Sequence, residues 1–137
     1  MRYIIDTNVL IKYIIGGYIS RDIEAVFEDY ENQIYVSSES VKEFIHLLYT
    51  KKIALPRNYN STDVFDIIEK QLNFQVKYVT KQHLQTYSEL TPATGHNDPS
   101  DHVIISQAIA EKLPLISSDL YFPKYEKCGL SLIMNEN

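Results

Sequence analysis

The sequence has one cysteine, Cys128, no tryptophan, and only four glycines and five prolines in 137 residues. A single thiol cannot build an intrachain disulfide, which fits a reducing compartment. No Cys and His set with zinc spacing exists, because His46, His83, His96 and His102 are scattered along the chain. A zinc site is therefore not expected. The sparse glycines form neither a Walker-type phosphate loop nor a Gly-x-Gly-x-x-Gly turn, which disfavours nucleotide-fuelled and dinucleotide-dependent functions. No apolar stretch approaches the roughly 20 residues of a membrane helix. Arg2 and Asp6 also interrupt the first apolar run too early for a secretory signal. A cytoplasmic protein without membrane association is expected. Cations are in short supply too, with 13 Lys and Arg against 18 Asp and Glu, a net charge of −5. That balance argues against a passive nucleic-acid coat, whose affinity comes from clustered Lys and Arg. It argues less against a nuclease whose acids are neutralised by a bound cation.

What is present suits a single domain over residues 1–137, with a 45% hydrophobic fraction and no repeat or linker. Apolar runs at Arg2 to Ile5, Gln33 to Val36, Gln75 to Val79, Leu115 to Ser117 and Leu130 to Met134 predict strands. Helical periodicity predicts helices between them. The first runs from about Asn8 to Ile15 and stops at Gly16-Gly17. The second is capped by Ser20, with Ile23, Val26, Phe27 and Tyr30 inward. The third runs from about Ser38 to Lys51, burying Val41, Phe44, Ile45 and Leu48. After a loop at Pro56 to Ser61, a helix starting at Ser61 or Thr62 turns Val64, Phe65, Ile68 and Leu72 inward. Thr80 caps a helix to about Leu90. Asp98-Pro99 opens one to about Lys112, an N-cap followed by proline at the first helical position. Strands alternating with helices predict an α/β fold with a mostly parallel sheet covered on both faces.

Four acids stand out against this pattern. Asp6 ends the first strand and Glu43 lies in the helix that follows the second. Asp101 opens the apolar helix Val103 to Ala110, and Asp119 follows Leu115-Ile116. In a parallel sheet all four reach the edge where the strands' carboxyl ends lie, the usual ligand site of open α/β folds. Each also has a simpler reading as a helix cap. Asp6 and Asp119 can cap the turns after them. Ser40-x-x-Glu43 matches a capping box, and Asp101 at the third helical position favours the helix dipole. Yet Asp98 already caps the helix of Asp101, and Ser37 or Ser38 can cap that of Glu43, so two of the acids are surplus to capping. A carboxylate cluster needs protons or a divalent cation to neutralise it. Mg²⁺, with about six oxygen ligands near 2.1 Å, needs only a few carboxylates.

Four segments carry a resemblance. Asp6-Thr7-Asn8-Val9-Leu10 follows the first strand. Val36-Ser37-Ser38-Glu39-Ser40-Val41-Lys42-Glu43 is a serine turn into an acid-bearing helix. His96-Asn97-Asp98-Pro99-Ser100-Asp101 opens a buried helix, and Leu115-Ile116-Ser117-Ser118-Asp119 is a strand ending in Ser, a spacer and Asp. In this order and spacing they resemble the motifs of PIN-domain proteins, most like the VapC-type toxins of type II toxin–antitoxin systems. Singly, Asp-Thr-Asn is a weak motif; the set of four is specific. The resemblance implies a three-layer α/β/α sandwich with a five-stranded sheet. It also implies an endoribonuclease that needs Mg²⁺ or Mn²⁺ and leaves 5′-phosphate and 3′-hydroxyl ends.

By position, the family likeness makes Asp6, Asp101 and Asp119 metal ligands and Glu43 the residue that orients water or acts as base. Asn8 and Ser117 become the partners that fix carboxylate rotamers, and Asp98 a cap or an outer-shell acid. Lys12, Lys42, His96 and His102, near the acids in sequence, are candidate phosphate contacts, with solvated surface charge as the alternative. The family also implies an RNA substrate, a small antitoxin that reaches the acidic cleft through an Arg, and a homodimer. Two rival functions remain at this point. A haloacid-dehalogenase-like phosphatase would need a second Asp where Asn8 stands. A PIN-like scaffold that binds RNA or protein would leave all four acids idle.

Overall fold

The protein is described by a computed structural model in which residues 1–59 and 63–136 are placed. Five strands form one sheet, β1 (Arg2–Ile5), β2 (Gln33–Ser37), β3 (Gln75–Lys77), β4 (Leu115–Ser117) and β5 (Leu132–Met134). All pair in parallel, in the order β3-β2-β1-β4-β5. β1 lies at the centre, with Ile5 opposite Val36 of β2 and Ile116 of β4. The chain moves outward from β1 to β2 and β3, then returns to add β4 and β5 on the other side. The crevice between β1 and β4 is therefore the point where strand order reverses.

Consecutive residues of β1 serve opposite faces, as strand geometry requires. Ile5 joins a core of Val9, Leu10, Phe27, Val36, Phe44, Ile67, Ile68 and Phe74. Ile4 joins a second core of Ile104, Ile105, Leu115, Phe122 and Tyr125. Both isoleucines are fully buried, each contributing about 1.5–3 kcal/mol of burial free energy. The first face is covered by α1 (Thr7–Ile15), α2 (Arg21–Glu28), α3 (Ser38–Tyr49) and the short α4 (Val64–Asp66). The second is covered by α6 (Pro99–Glu111) and a 3₁₀ segment over Phe122–Cys128. α5 (Lys81–Glu89) packs beside α6. The expected three-layer α/β/α sandwich is what forms.

Local capping explains where the helices begin. Asp6 caps α1 by accepting the Val9 N–H, Ser20 caps α2, and Thr80 caps α5. Ser37 caps α3 by accepting the Glu39 N–H, the earlier cap that the sequence offered in place of a box at Ser40 and Glu43. Asp98 caps α6, with Pro99 in the first turn. Gly16 closes α1 with φ +90°, a conformation in which a side chain would be strained.

Several expectations need correction. Tyr30 lies beyond the end of α2 and is 89% exposed. Ile45 is 43% exposed, because Val41 and Phe44 already occupy the inward stripe of α3. Phe65 is also on the outside, since Val64, Ile67 and Ile68 fill the buried face. After α4 the chain widens into a π-helical turn, Ile67–Gln71, in which the Leu72 N–H reaches the Ile67 carbonyl. That wider turn brings both Ile67 and Ile68 into the core. The helix start expected at Ser61 or Thr62 lies outside the described residues; Asp63 accepts the Phe65 N–H and caps the helix as described. β3 stops at Lys77 and β5 starts at Leu132, both shorter than the sequence pattern implies.

Candidate metal centre and active site

The carboxyl ends of β1 and β4 place Asp6 and Asp119 on either side of the crevice, and the first turn of α6 brings Asp101 to the same spot. Asp6 is 2% exposed. Its Oδ1 accepts the Val9 N–H at 2.8 Å, and its Oδ2 accepts the Ser117 hydroxyl at 2.5 Å. Ser117 Oγ also accepts the Asp119 N–H at 3.0 Å, so one hydroxyl ties two of the acids together. Asp119 Oδ1 accepts the Tyr121 N–H at 2.8 Å. Asp101 is held through Oδ2, 3.1 Å from His96 Nε2. Ligand atoms of His96, Asp101 and Asp119 all lie within 4.8 Å of one another.

Burial dominates the electrostatics. It pushes the Asp6 pKa up to about 7, against the lowering effect of the Ser117 and Val9 hydrogen bonds, with Asp101 and Asp119 adding repulsion. It likewise pushes Asp101 up to about 6, opposed by the His96 hydrogen bond and reinforced by Asp98 and Asp119. Among the described residues no Lys or Arg pairs with Asp6, Asp101 or Asp119. Buried and half-buried carboxylates that repel each other without a Lys or Arg partner are unfavourable as they stand. A divalent cation would supply the missing charge. Oxygen donors dominate the set, which matches hard cations such as Mg²⁺ or Mn²⁺ rather than a soft one.

Glu43 sits in a neighbouring acid group. Burial raises its pKa first, then the charge of Asp98, while hydrogen bonding from Thr7 lowers it. Thr7 Oγ1 also lies 2.8 Å from Ser40 Oγ, both of them buried. Glu39, one turn before Glu43 on α3, bonds Lys42 Nζ at 2.8 Å and accepts from the Ser100 hydroxyl at 3.3 Å. The structure thus holds two adjoining groups, Asp6 with Asp101 and Asp119, and Glu43 with Glu39 and Asp98. The start of α6 links them.

The remaining sequence candidates fall in different places. Asn8 is exposed, and no hydrogen bond joins it to a carboxylate among the described residues. Asp98 is exposed and accepts the N–H groups of Ser100 and Asp101, the geometry of a cap. Lys42 is outward and paired with Glu39. Lys12 lines a groove of about 400 Å³ with Tyr18, Ser118, Leu120 and Met134. His102 is buried, its Nε2 bonded to the His96 carbonyl at 3.0 Å. His96 is buried as well, inside the acid cluster.

Sequence reasoning passed over Thr7, Ser40, Glu39 and Asn135. Glu39 carried a signal, since it stands four residues before Glu43 on the same helix face. Asn135 carried none. It bonds Ser118 Oγ and the Tyr18 carbonyl and accepts from the Ser20 N–H, fixing the segment after β4 against the start of α2.

Comparison with solved structures places this geometry among known folds. VapBC2 from Rickettsia felis, bound to a DNA fragment from their promoter, superposes with a TM-score of 0.66 at 20% identity, covering 99% of this chain and 100% of that one. A toxin–antitoxin complex from Klebsiella pneumoniae gives 0.66 at 15% identity, covering 98% of each chain. VapBC-1 from nontypeable Haemophilus influenzae gives 0.66 at 18% identity, again covering 98% of each. No curated protein sequence matches significantly. No helix of the described residues is long and apolar enough to cross a membrane. The PIN domain family model matches residues 3–127, spanning both acid groups, and the chain belongs to the PIN domain family.

Proposed function

We propose that this chain is a metal-dependent endoribonuclease, the toxin half of a toxin–antitoxin pair. The observation that carries the reading is the convergence of Asp6, Asp101 and Asp119 at the β1–β4 crevice with no Lys or Arg partner, where burial raises the pKa of Asp6 and of Asp101. Such a site has use for a divalent cation and little use without one. The likeness in fold to VapBC proteins supports the toxin assignment, and the motif order supports the same family.

In this reading Asp6, Asp101 and Asp119 hold Mg²⁺ or Mn²⁺. The cation, when bound, neutralises the carboxylates, acidifies a water and offsets charge that builds on the phosphate. Ser117 and the Val9 N–H keep both oxygens of Asp6 in a fixed plane. Glu43, its pKa raised by burial, accepts the proton of the attacking water at its carboxylate. Lys12, in the groove that Ser118 and Leu120 also line, meets the RNA backbone on one side of the scissile bond. Hydrolysis leaves a 5′-phosphate and a 3′-hydroxyl. A small antitoxin silences the enzyme by placing an Arg against these carboxylates, where paired N–H donors match carboxylate oxygens.

The test is cleavage of total bacterial RNA by purified protein, with Mg²⁺ or Mn²⁺ against a chelator, beside Asp6→Asn. Discrete metal-dependent cuts with 5′-phosphate ends, absent in the variant, are expected. Equal cutting by the variant, or none by either protein, would leave the acids without a catalytic role and favour a binding scaffold.

A further inference from the structure

Building on the nuclease reading, we infer that His96 is a positioning residue. Its Nε2–H fixes the Asp101 carboxylate for the cation, and the Tyr125 hydroxyl sets the tautomer that allows it.

Tyr125 is 1% exposed, and its hydroxyl has one proton and two acceptor lone pairs. The oxygen accepts the Ala93 N–H at 2.9 Å. Its own proton needs an acceptor within the core, and His96 Nδ1 stands 2.7 Å away. A buried hydroxyl proton without an acceptor is costly, so Nδ1 is the unprotonated nitrogen. The imidazole proton then sits on Nε2, pointing at Asp101 Oδ2, 3.1 Å away. The bonds run in one direction, from the Ala93 amide through Tyr125 and His96 to the carboxylate.

The ring has little freedom to do otherwise. Tyr121 stacks on it at a centroid distance of 4.9 Å and an interplanar angle of 7°. His102 meets it edge-on at 4.6 Å and 88°, while its own Nε2 donates to the His96 carbonyl at 3.0 Å. Phe122 closes in at 5.9 Å. Side chain and backbone are both pinned. A ring nitrogen of His96 lies within 4.8 Å of ligand atoms of both Asp101 and Asp119, so direct coordination by the imidazole is the alternative. A protonated Nε2 has no lone pair to give a metal, however, so the imidazole acts through Asp101. No other described hydrogen bond occupies the Asp101 carboxylate, leaving its other lone pairs free for the cation. The arrangement reverses the usual one, in which a carboxylate orients a ligating histidine.

The experiment combines two readouts on the purified, metal-free chain. Long-range ¹H–¹⁵N NMR reads the His96 tautomer, and titration with Mn²⁺, followed by the signal of the free ion in electron paramagnetic resonance, reads affinity. The variants are His96→Gln, His96→Asn, Tyr125→Phe and Asp101→Asn. Gln carries its amide N–H near the position of Nε2 and Asn near that of Nδ1. Size alone would also favour Gln over Asn, so Tyr125→Phe, which leaves the imidazole in place, separates positioning from packing.

The expected result is a proton on Nε2 in the native chain. With it go a loss of about 10–100-fold in Mn²⁺ affinity for His96→Asn and retention within about fivefold for His96→Gln. Tyr125→Phe keeps the imidazole but mixes its tautomers and weakens Mn²⁺ binding, which keeps the test open should His96→Asn fail to fold. A proton on Nδ1, or equal affinity in Gln and Asn variants, would overturn the inference alone. No Mn²⁺ binding by the native chain, or the same affinity in Asp101→Asn, would overturn the metal-dependent nuclease reading and the inference with it.

Discussion

The Ser117 hydroxyl donates to Asp6 Oδ2 across 2.5 Å, joining the carboxyl ends of β4 and β1 through side chains where the backbone ladder stops. Ser117 is fully buried and Asp6 nearly so, so the bond forms away from competing water. It opposes the desolvation that raises the Asp6 pKa. Ser117→Ala removes it with little change in shape. Stability is expected to fall by about 1.5–3 kcal/mol, the range for a hydrogen bond to a charged group. Urea denaturation measures that loss. Mn²⁺ affinity should drop about 10–100-fold, since the carboxylate is no longer held.

Asp6 predicts a pH effect whose sign is fixed by its shift. Its pKa is about 7 in the fold against 3.8 ordinarily. The folded state therefore holds a proton that the unfolded chain has released, and stability falls as pH rises between those values. Metal-free protein should lose thermal stability from pH 5 to pH 8, and Asp6→Asn should lose less, since Asn still caps α1 but does not ionise. Saturating Mg²⁺ should remove most of the native protein's decline. Thermal melts at several pH values, with chelator and with Mg²⁺, are the measurement. Parallel melting curves for native and variant chains would contradict the buried-charge account.

Asp98 separates cap from charge. It accepts the N–H groups of Ser100 and Asp101 from an exposed position, and its charge raises the pKa of Glu43 and of Asp101. Asp98→Asn keeps the cap and should leave stability within about 0.5 kcal/mol, whereas Asp98→Ala should cost about 1 kcal/mol. Both remove the charge, so both should lower the Glu43 pKa and move the acid limb of RNA cleavage to lower pH. A pH–rate profile for the Asn variant checks the second part without disturbing the helix.

Thr7 makes the opposite prediction. Its hydrogen bonding lowers the Glu43 pKa, so Thr7→Val should raise it and move the acid limb to higher pH. The variant also leaves the buried Ser40 hydroxyl without its 2.8 Å partner, a destabilisation of about 1–3 kcal/mol. Denaturant melts and a pH–rate profile on the same preparation separate the two effects. An unchanged acid limb would remove Glu43 from the proton transfer.

The acids were legible in the sequence because strand and helix punctuation locate them. Asp6 closes an apolar run, Asp119 follows another, and Asp98-Pro99 announces the helix that presents Asp101. Duplicate caps were legible too, since Ser37 and Asp98 take the capping work that Glu43 and Asp101 were free to leave. The division into two acid groups was not, because it depends on the angle between α3 and α6, and no one-dimensional pattern encodes that. Nor was the bond network of His96, whose partners Ala93 and Tyr125 come from a loop and a 3₁₀ turn without periodicity. Tyr30 and Phe65 misled for a related reason. Apolar spacing does not say where a helix ends or which of two adjacent apolar residues wins the inward stripe.

Asp6 and Ser117 stand 111 residues apart in the chain, and the hydrogen bond between them exists only after β4 has docked beside β1. Closing so long a loop is slow compared with forming β1, β2 and the helices between them. A partly folded chain can therefore own most of one core and still lack the acid site. The acid site is the last thing assembled. Activity then reports completed folding, and a mutation that loosens only the seating of β4, such as Leu115→Ala, should silence the protein while much of its helix signal survives.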